Sequence, residues 1–241
     1  MDWLLHGLYL ILIGIGAGFV QRVSGFGLGI FAMMFLPYFT PTPVAATIST
    51  LFSCVTSTYN AIRYRKDIVY KTAIPMVCAA LVTIPIAVYF SAVVSAQIFQ
   101  YLLGGVLILL SIYFLFFNQR VRLKPTLING VLAGTVGGTL NGLFSTGGPP
   151  VVLYLSSALS SNAAYFATIQ FYFCFTNIYA VIMRGVNGIL TKDAVIYAAI
   201  GLVGCMAGDA LGKRVFHKLN GEMLKRIIYI GMIVSGIVMF F

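Results

Sequence analysis

Charge is what this chain has least of. Only 8% of its 241 residues are charged, and only five are acidic. A soluble domain of that length carries roughly 25% charged residues. With 60% hydrophobic residues and a mean hydropathy of +1.00, the chain cannot cover a globule with polar surface. Five acids and two histidines, His6 and His217 near segment ends, provide no carboxylate pair for general acid–base work. No HExxH, GxSxG or phosphate-loop string is present, which argues against an enzyme and against a primary pump with its own nucleotide site. The four cysteines, Cys54, Cys78, Cys174 and Cys205, all lie in apolar stretches without CxxC spacing, and read as small buried hydrophobes. No metal or cofactor is expected.

What is present is a set of long, continuous apolar runs such as 72–91 and 98–117. Each is close to the ~20 residues that a spanning helix needs. A transmembrane barrel would instead alternate over segments of about 10 residues, so the expected class is an all-α polytopic membrane protein. No Lys or Arg precedes Arg22, so the N-terminus does not read as a cleavable signal and the first apolar segment is expected to stay. The net charge of +10 falls in short loops, where it sets topology. It does not point to nucleic acid.

The chain repeats itself. A shift of 120 positions aligns Leu12 with Leu132, Gly14 with Gly134, Gly18 with Gly138, Gly27 with Gly147, Cys54 with Cys174, Thr56 with Thr176, Tyr59 with Tyr179 and Ile62 with Ile182. The expected organisation is one membrane domain, 1–241, made of repeat 1 (1–117), a linker (118–125) and repeat 2 (126–241). Each half opens with an apolar segment (4–22 and 126–143) that runs into a Gly/Ser/Thr-rich break. A short apolar piece follows (28–36 and 151–159), then three longer segments: 43–62, 70–92 and 98–117, and 163–183, 193–212 and 225–241.

If each break is the tip of a re-entrant hairpin, each half crosses an odd number of times and the halves are inverted. The loops 63–71, 118–124 and 213–226 then share one side and hold 12 cations: Arg63, Arg65, Lys66, Lys71, Arg120, Arg122, Lys124, Lys213, Arg214, Lys218, Lys225 and Arg226. Arg184 and Lys192 alone fall on the other. Eight simple crossings would split the cations 9 against 5, so the positive-inside rule favours the hairpins and places the protein in the cell inner membrane with both termini outside the cytoplasm. Inverted repeats with Gly- or Pro-broken helices are a recurring transporter plan, with the solute bound at the breaks.

The first break spans Gln21, Arg22, Ser24, Gly25 and Gly27; the second spans Asn141, Ser145, Thr146, Gly147, Gly148, Pro149 and Pro150. Gly permits the tight backbone, and Pro150 suits the first turn of a following helix. Two helix starts facing each other would present unpaired N–H groups to an anion, with Ser24, Ser145 and Thr146 adding hydroxyls. Gln21 and Asn141 are repeat mates. Arg22, at the end of the first segment, could donate its fork to an oxyanion or simply reach the interface along its apolar stem. The glycines could equally serve tight helix packing. Among Thr47, Ser49, Thr50, Thr168, Gln170 and Asn177, one or two, Gln170 included, are expected to line the pocket. Asp209 could carry protons, but Lys213 four residues on points to a helix-surface ion pair.

Gly25-Phe26-Gly27-Leu28-Gly29 followed by Pro37, paired with Gly147-Gly148-Pro149-Pro150-Val151-Val152-Leu153-Tyr154-Leu155, resembles the two glycine-rich loops of the TauE/SafE family of sulfite and organosulfonate exporters. The resemblance covers the whole chain. Leu28 departs from the family's glycine there. It implies a secondary transporter, an exporter of a small anion of the sulfite, thiosulfate or sulfonate class, working by alternating access in the bilayer; a homo-oligomer stays open. A channel or cation permease, a non-transporting subunit of a larger complex and a membrane-embedded enzyme are the rivals, and the shortage of His, Asp and Glu argues against the channel or cation permease.

Overall fold

The computed structural model describes residues 2–116, 123–215 and 221–241, with side chains described outside 1–5 and 215–227. The described residues form ten α-helices and no strand: α1 (Asp2–Ser24), α2 (Leu28–Phe35), α3 (Thr42–Arg63), α4 (Tyr70–Val93), α5 (Ala96–Phe116), α6 (Leu127–Phe144), α7 (Gly148–Ala158), α8 (Asn162–Val186), α9 (Lys192–Val215) and α10 (Gly221–Val238). Among them, six are long and apolar enough to cross a membrane: α1, α4, α5, α6, α8 and α9. The outward faces are lipid-like, with Val82, Ile86, Leu109, Ile128 and Met206 all largely exposed.

The length of α3 suits a crossing, but the helix falls short on hydropathy because it carries Thr47, Ser49, Thr50 and Ser57. These are buried rather than facing lipid. Together with α8, against which it packs, α3 forms the polar centre of the bundle. Thr47, Thr50 and Ser57 donate to carbonyls of their own helix, which removes part of the cost of burying them.

Two glycine seams hold the bundle tightly. Along α1 and α9, a Cβ on Gly204 would overlap the Ile11 carbonyl, one on Gly208 the Ile15 carbonyl, and one on Gly212 the Arg22 side chain. The partners advance together in number, so α1 and α9 run parallel. Along α4 and α6, Gly134 meets Met76, Gly138 meets Ala80 and Gly142 meets Ile84, again in parallel. Without a hydrophobic drive between helices in lipid, close backbone approach through small residues supplies the packing. Finally, α5 lies against α10, α2 turns back on α1, and α7 turns back on α6.

The ends of the bundle differ in charge. Tyr64, Asn162, Arg22 and Lys213 share one end, next to Arg63, Arg65, Lys66, Lys71 and Arg214. Lys124 precedes α6 and lies at that end too, since α6 runs parallel to α4. Lys192 lies at the opposite end. Of the remaining expected loop cations, Arg120, Arg122 and Lys218 lie outside the described residues, as does His217, and the side chains of Lys225 and Arg226 are likewise outside them; so is most of the linker.

Candidate functional site

Both breaks are shorter than the composition suggested. Helix α1 continues through Ser24 and α6 through Phe144, leaving three-residue interruptions at 25–27 and 145–147, in register with the 120-residue shift. At the first, Gly25 (φ 79°) and Gly27 (φ 95°) take left-handed backbone, which glycine adopts without a Cβ penalty. At the second, Ser145 takes it (φ 59°), the one described non-glycine residue to do so. Such a conformation costs of order 1–3 kcal/mol and marks sites where surrounding structure holds the strain.

The two interruptions touch. A Cβ on Gly29 would fall on the Ser145 carbonyl oxygen, and one on Gly148 would sit 3.1 Å from the Phe26 ring. Between them lies a small cavity lined by Gln21, Gly27, Leu28, Gly29, Asn141, Ser145, Thr146, Gly148 and Asn177, with Ser53, Ser57, Phe26, Ile30 and Phe173 completing the wall. The space open to the centre of a water is about 20 Å³, on the scale of a single water.

The cavity wall is rich in donors without acceptors. Ser145 Oγ, Thr146 Oγ1 and Asn177 Nδ2 are buried with no partner among the described residues. An unsatisfied buried donor costs about 1–3 kcal/mol, and three of them converge here. The start of α2 adds backbone donors: Phe31 N–H reaches back to the Gly27 carbonyl at 2.9 Å, so the N–H groups of Leu28, Gly29 and Ile30 have no intrahelical acceptor. The start of α7 is different. Pro149 and Pro150 occupy its first turn and have no N–H to give, which leaves Gly148. The two helix starts are therefore unequal, and the second break contributes through hydroxyls rather than through its helix end.

Amides fix the walls. Gln170 Nε2 donates to the Gly25 carbonyl at 2.9 Å, and Gln21 Nε2 reaches Gln170 Oε1 at 3.4 Å. Asn141 Nδ2 donates to Asn177 Oδ1 at 3.0 Å, which leaves the Asn177 amide hydrogens facing the cavity. Thr168 is engaged elsewhere, accepting from Val69 N–H. Gly147 is buried behind the wall, where a Cβ would meet the Gly137 carbonyl.

Arg22 and Ser24 are not in this cavity. With Gly25 they line a second, wider cavity of about 570 Å³ at the cation-rich end, together with Tyr64, Tyr165, Phe166 and Lys213. Ser24 Oγ lies within hydrogen-bonding reach of the Val20 and Phe26 carbonyls and donates its one hydrogen between them. Arg22 Nη1 donates to Tyr64 Oη at 3.4 Å, lies 3.9 Å from Asp209, and sits over the Phe166 ring. That hydrogen bond, ahead of opposing burial, holds the Tyr64 phenol below its ordinary range. Asp209 pairs with Lys213 at 2.9 Å, four residues along α9, as the spacing indicates. The vestibule and the inner cavity are separated by the Gly25–Phe26 backbone that Gln170 anchors.

One polar residue stands where the sequence did not put it. Arg184, read as a loop cation, belongs to the last turn of α8 and is fully buried. The run Gly185-Val186-Asn187-Gly188 resembles a loop, yet α8 continues to Val186 and carries Arg184 inward. Ser53, Ser57, Phe26 and Phe173 were also not singled out; only Ser57, as the repeat mate of Asn177, carried a signal that could have found it.

Such a constellation, helical, apolar outside, with a donor-lined cavity between two broken helices, is that of a polytopic membrane protein with an internal polar site. The chain belongs to the sulfite exporter TauE/SafE family, which it matches over residues 10–239. It is also similar to a protein of Cupriavidus necator (strain ATCC 17699) named "Probable sulfite/organosulfonate exporter TauE", 26% identical over 230 residues that cover 89% of this chain and 86% of that one. No solved structure matches.

Proposed function

We propose that this protein is a secondary transporter of the cell inner membrane that exports a small sulfur oxyanion or organosulfonate by alternating access around the two interruptions. The observation that carries the reading is the convergence of Ser145 Oγ, Thr146 Oγ1 and Asn177 Nδ2, all without partners among the described residues, with the first N–H groups of α2 on one cavity. The ring of donors has no carboxylate in it, and suits a ligand that only accepts hydrogen bonds and carries negative charge.

The halves support an inverted pair. Helix α1 packs on α9 as α6 packs on α4, and α3–α8 and α5–α10 relate like to like. The cation-rich end then faces the cytoplasm, and the 570 Å³ vestibule opens to it, while the matched region around Gly142, Phe144, Thr42 and Ala46 is buried. Arg22 and Lys213 would collect anions from the cytoplasm, an effect that raises local concentration and on-rate. The inner cavity is too small for a tetrahedral oxyanion, so the interruptions must part at the Gly29–Ser145 and Gly148–Phe26 contacts for the anion to enter and to leave.

Anion-loaded proteoliposomes test this reading. Efflux of sulfite or of a sulfonate that depends on the protein, with no cation current, is the expected result. Cation current without anion flux would favour the channel reading instead.

A further inference from the structure

Every re-entrant hairpin brings a liability to an anion site. The helix that enters ends with its carbonyls, and partial negative charge, at the break. Helix α6 ends at Phe144, directly before Ser145 and Thr146 of the cavity wall. Ser145 N–H bonds back to Asn141 and Thr146 N–H to Leu140, so the carbonyls of Gly142 and Leu143 take no backbone donor from the loop. Arg184 fills that place. Its Nη2 donates to the Gly142 carbonyl at 2.8 Å and to the Leu143 carbonyl at 3.3 Å, and its Nη1 lies 3.5 Å from Thr47 Oγ1.

Three further facts set Arg184 apart from an ordinary helix cap. It is wholly buried. Its Nε has no partner among the described residues. No described carboxylate pairs with it, the described ion pairs being those of Asp209. A buried charge without a counter-ion is costly, and a neutral amide could satisfy two carbonyls. At the first break the loop carbonyls meet neutral groups: Ser24 Oγ lies against that of Phe26 and Gln170 Nε2 donates to that of Gly25. The 120-residue shift aligns Arg184 with Tyr64 and Gly142 with Arg22, and Arg22 bonds Tyr64. Each hairpin tip thus has one arginine beside it, from opposite helices: one in the open vestibule, the other sealed behind the cavity.

We propose that Arg184 is a positioning residue for the anion: its buried guanidinium, on the Gly142 and Leu143 carbonyls, cancels the negative end of α6 and gives the cavity a net positive field without touching the solute. The inference rests on the anion-transport reading above. It predicts a dependence on ligand valence that a purely structural cap would not show, because Coulomb energy scales with the ligand's charge.

The experiment is isothermal binding to the purified full chain of two tetrahedral-type ligands, sulfite at alkaline pH as the dianion and methanesulfonate as the monoanion. Taking a separation of roughly 9 Å and an effective dielectric constant of about 20, removing the charge gives a loss of about twentyfold for the monoanion and about five-hundredfold for the dianion. Arg184→Gln is expected to show that pair of losses, and Arg184→Lys to recover most of both. Thr47→Asp sets a carboxylate beside the retained guanidinium, so it is expected to reproduce the unequal losses, and it carries the comparison if Arg184→Gln does not fold. Equal losses for both ligands, or none, in Arg184→Gln or Thr47→Asp would overturn the inference while leaving anion transport standing. Absence of binding by the wild type to either ligand would instead overturn the transport reading itself.

Discussion

Thr146→Val separates a binding site from a packing accident. The substitution keeps the shape of the side chain and removes its hydroxyl. In the structure that hydroxyl is buried and bonds to none of the described residues, so its loss should not destabilise the free protein; relieving an unsatisfied buried donor is worth up to about 1–3 kcal/mol in the opposite direction. If the hydroxyl donates to a bound anion, the same change removes a hydrogen bond to a charged group, about 1.5–3 kcal/mol. At 1.4 kcal/mol per tenfold, that is a loss of about 10- to 150-fold in affinity. The assay is thermal unfolding in detergent with and without anion, since a ligand that binds the folded state raises its stability by mass action. The free variant is expected to melt at or above the wild-type temperature while its anion-induced rise disappears. A free variant that melts well below wild type with its anion response intact would refute the reasoning, because Thr146 would then be a structural donor.

Other consequences can be checked in parallel. Gly29→Ala drives a Cβ into the Ser145 carbonyl, a backbone atom that cannot swing aside, so the interruptions are expected to be held apart; flux should fall by at least tenfold while the protein still folds, as read by proteoliposome efflux and size-exclusion profile. Gly208→Leu strikes the Ile15 carbonyl in the α1–α9 seam and is expected to cost at least about 3 kcal/mol through overpacking, seen as loss of monodisperse protein in detergent. Arg22→Gln should raise KM for efflux several-fold with kcat nearly unchanged, since Arg22 lies in the vestibule, and should flatten the dependence of the rate on ionic strength. The same variant should return the Tyr64 phenol toward its ordinary, higher titration range, because the Arg22 hydrogen bond is what lowers it; tyrosine-selective NMR titration reads this directly.

Much of this architecture was legible in the residues, for identifiable reasons. Apolar length in lipid leaves helices as the natural solution, and the helix limits fall within a few residues of the hydropathy edges. Glycine strings at matching positions located both interruptions, and Asp209 and Lys213 paired as their spacing required. What the chain order hid was depth. Arg22 and Ser24 stand within five residues of Gly27 in sequence, but they lie on the vestibule side of the backbone that Gln170 pins, while Gly27 lines the inner cavity. Arg184 sits among glycines and looked like a loop cation, yet its meaning comes from Gly142, which is far away in sequence and adjacent in space. The two prolines after Gly148 looked like a helix start and are one, but they also strip that start of the donors that α2 keeps.

The most direct test of the central claim, that a small anion binds between the two interruptions, is efflux of labelled sulfite from proteoliposomes carrying wild type or Thr146→Val at matched reconstitution. Protein-dependent efflux from the wild type is expected, with near abolition in a variant that is equally folded. Equal efflux from both, or none from either alongside a cation current, would contradict it.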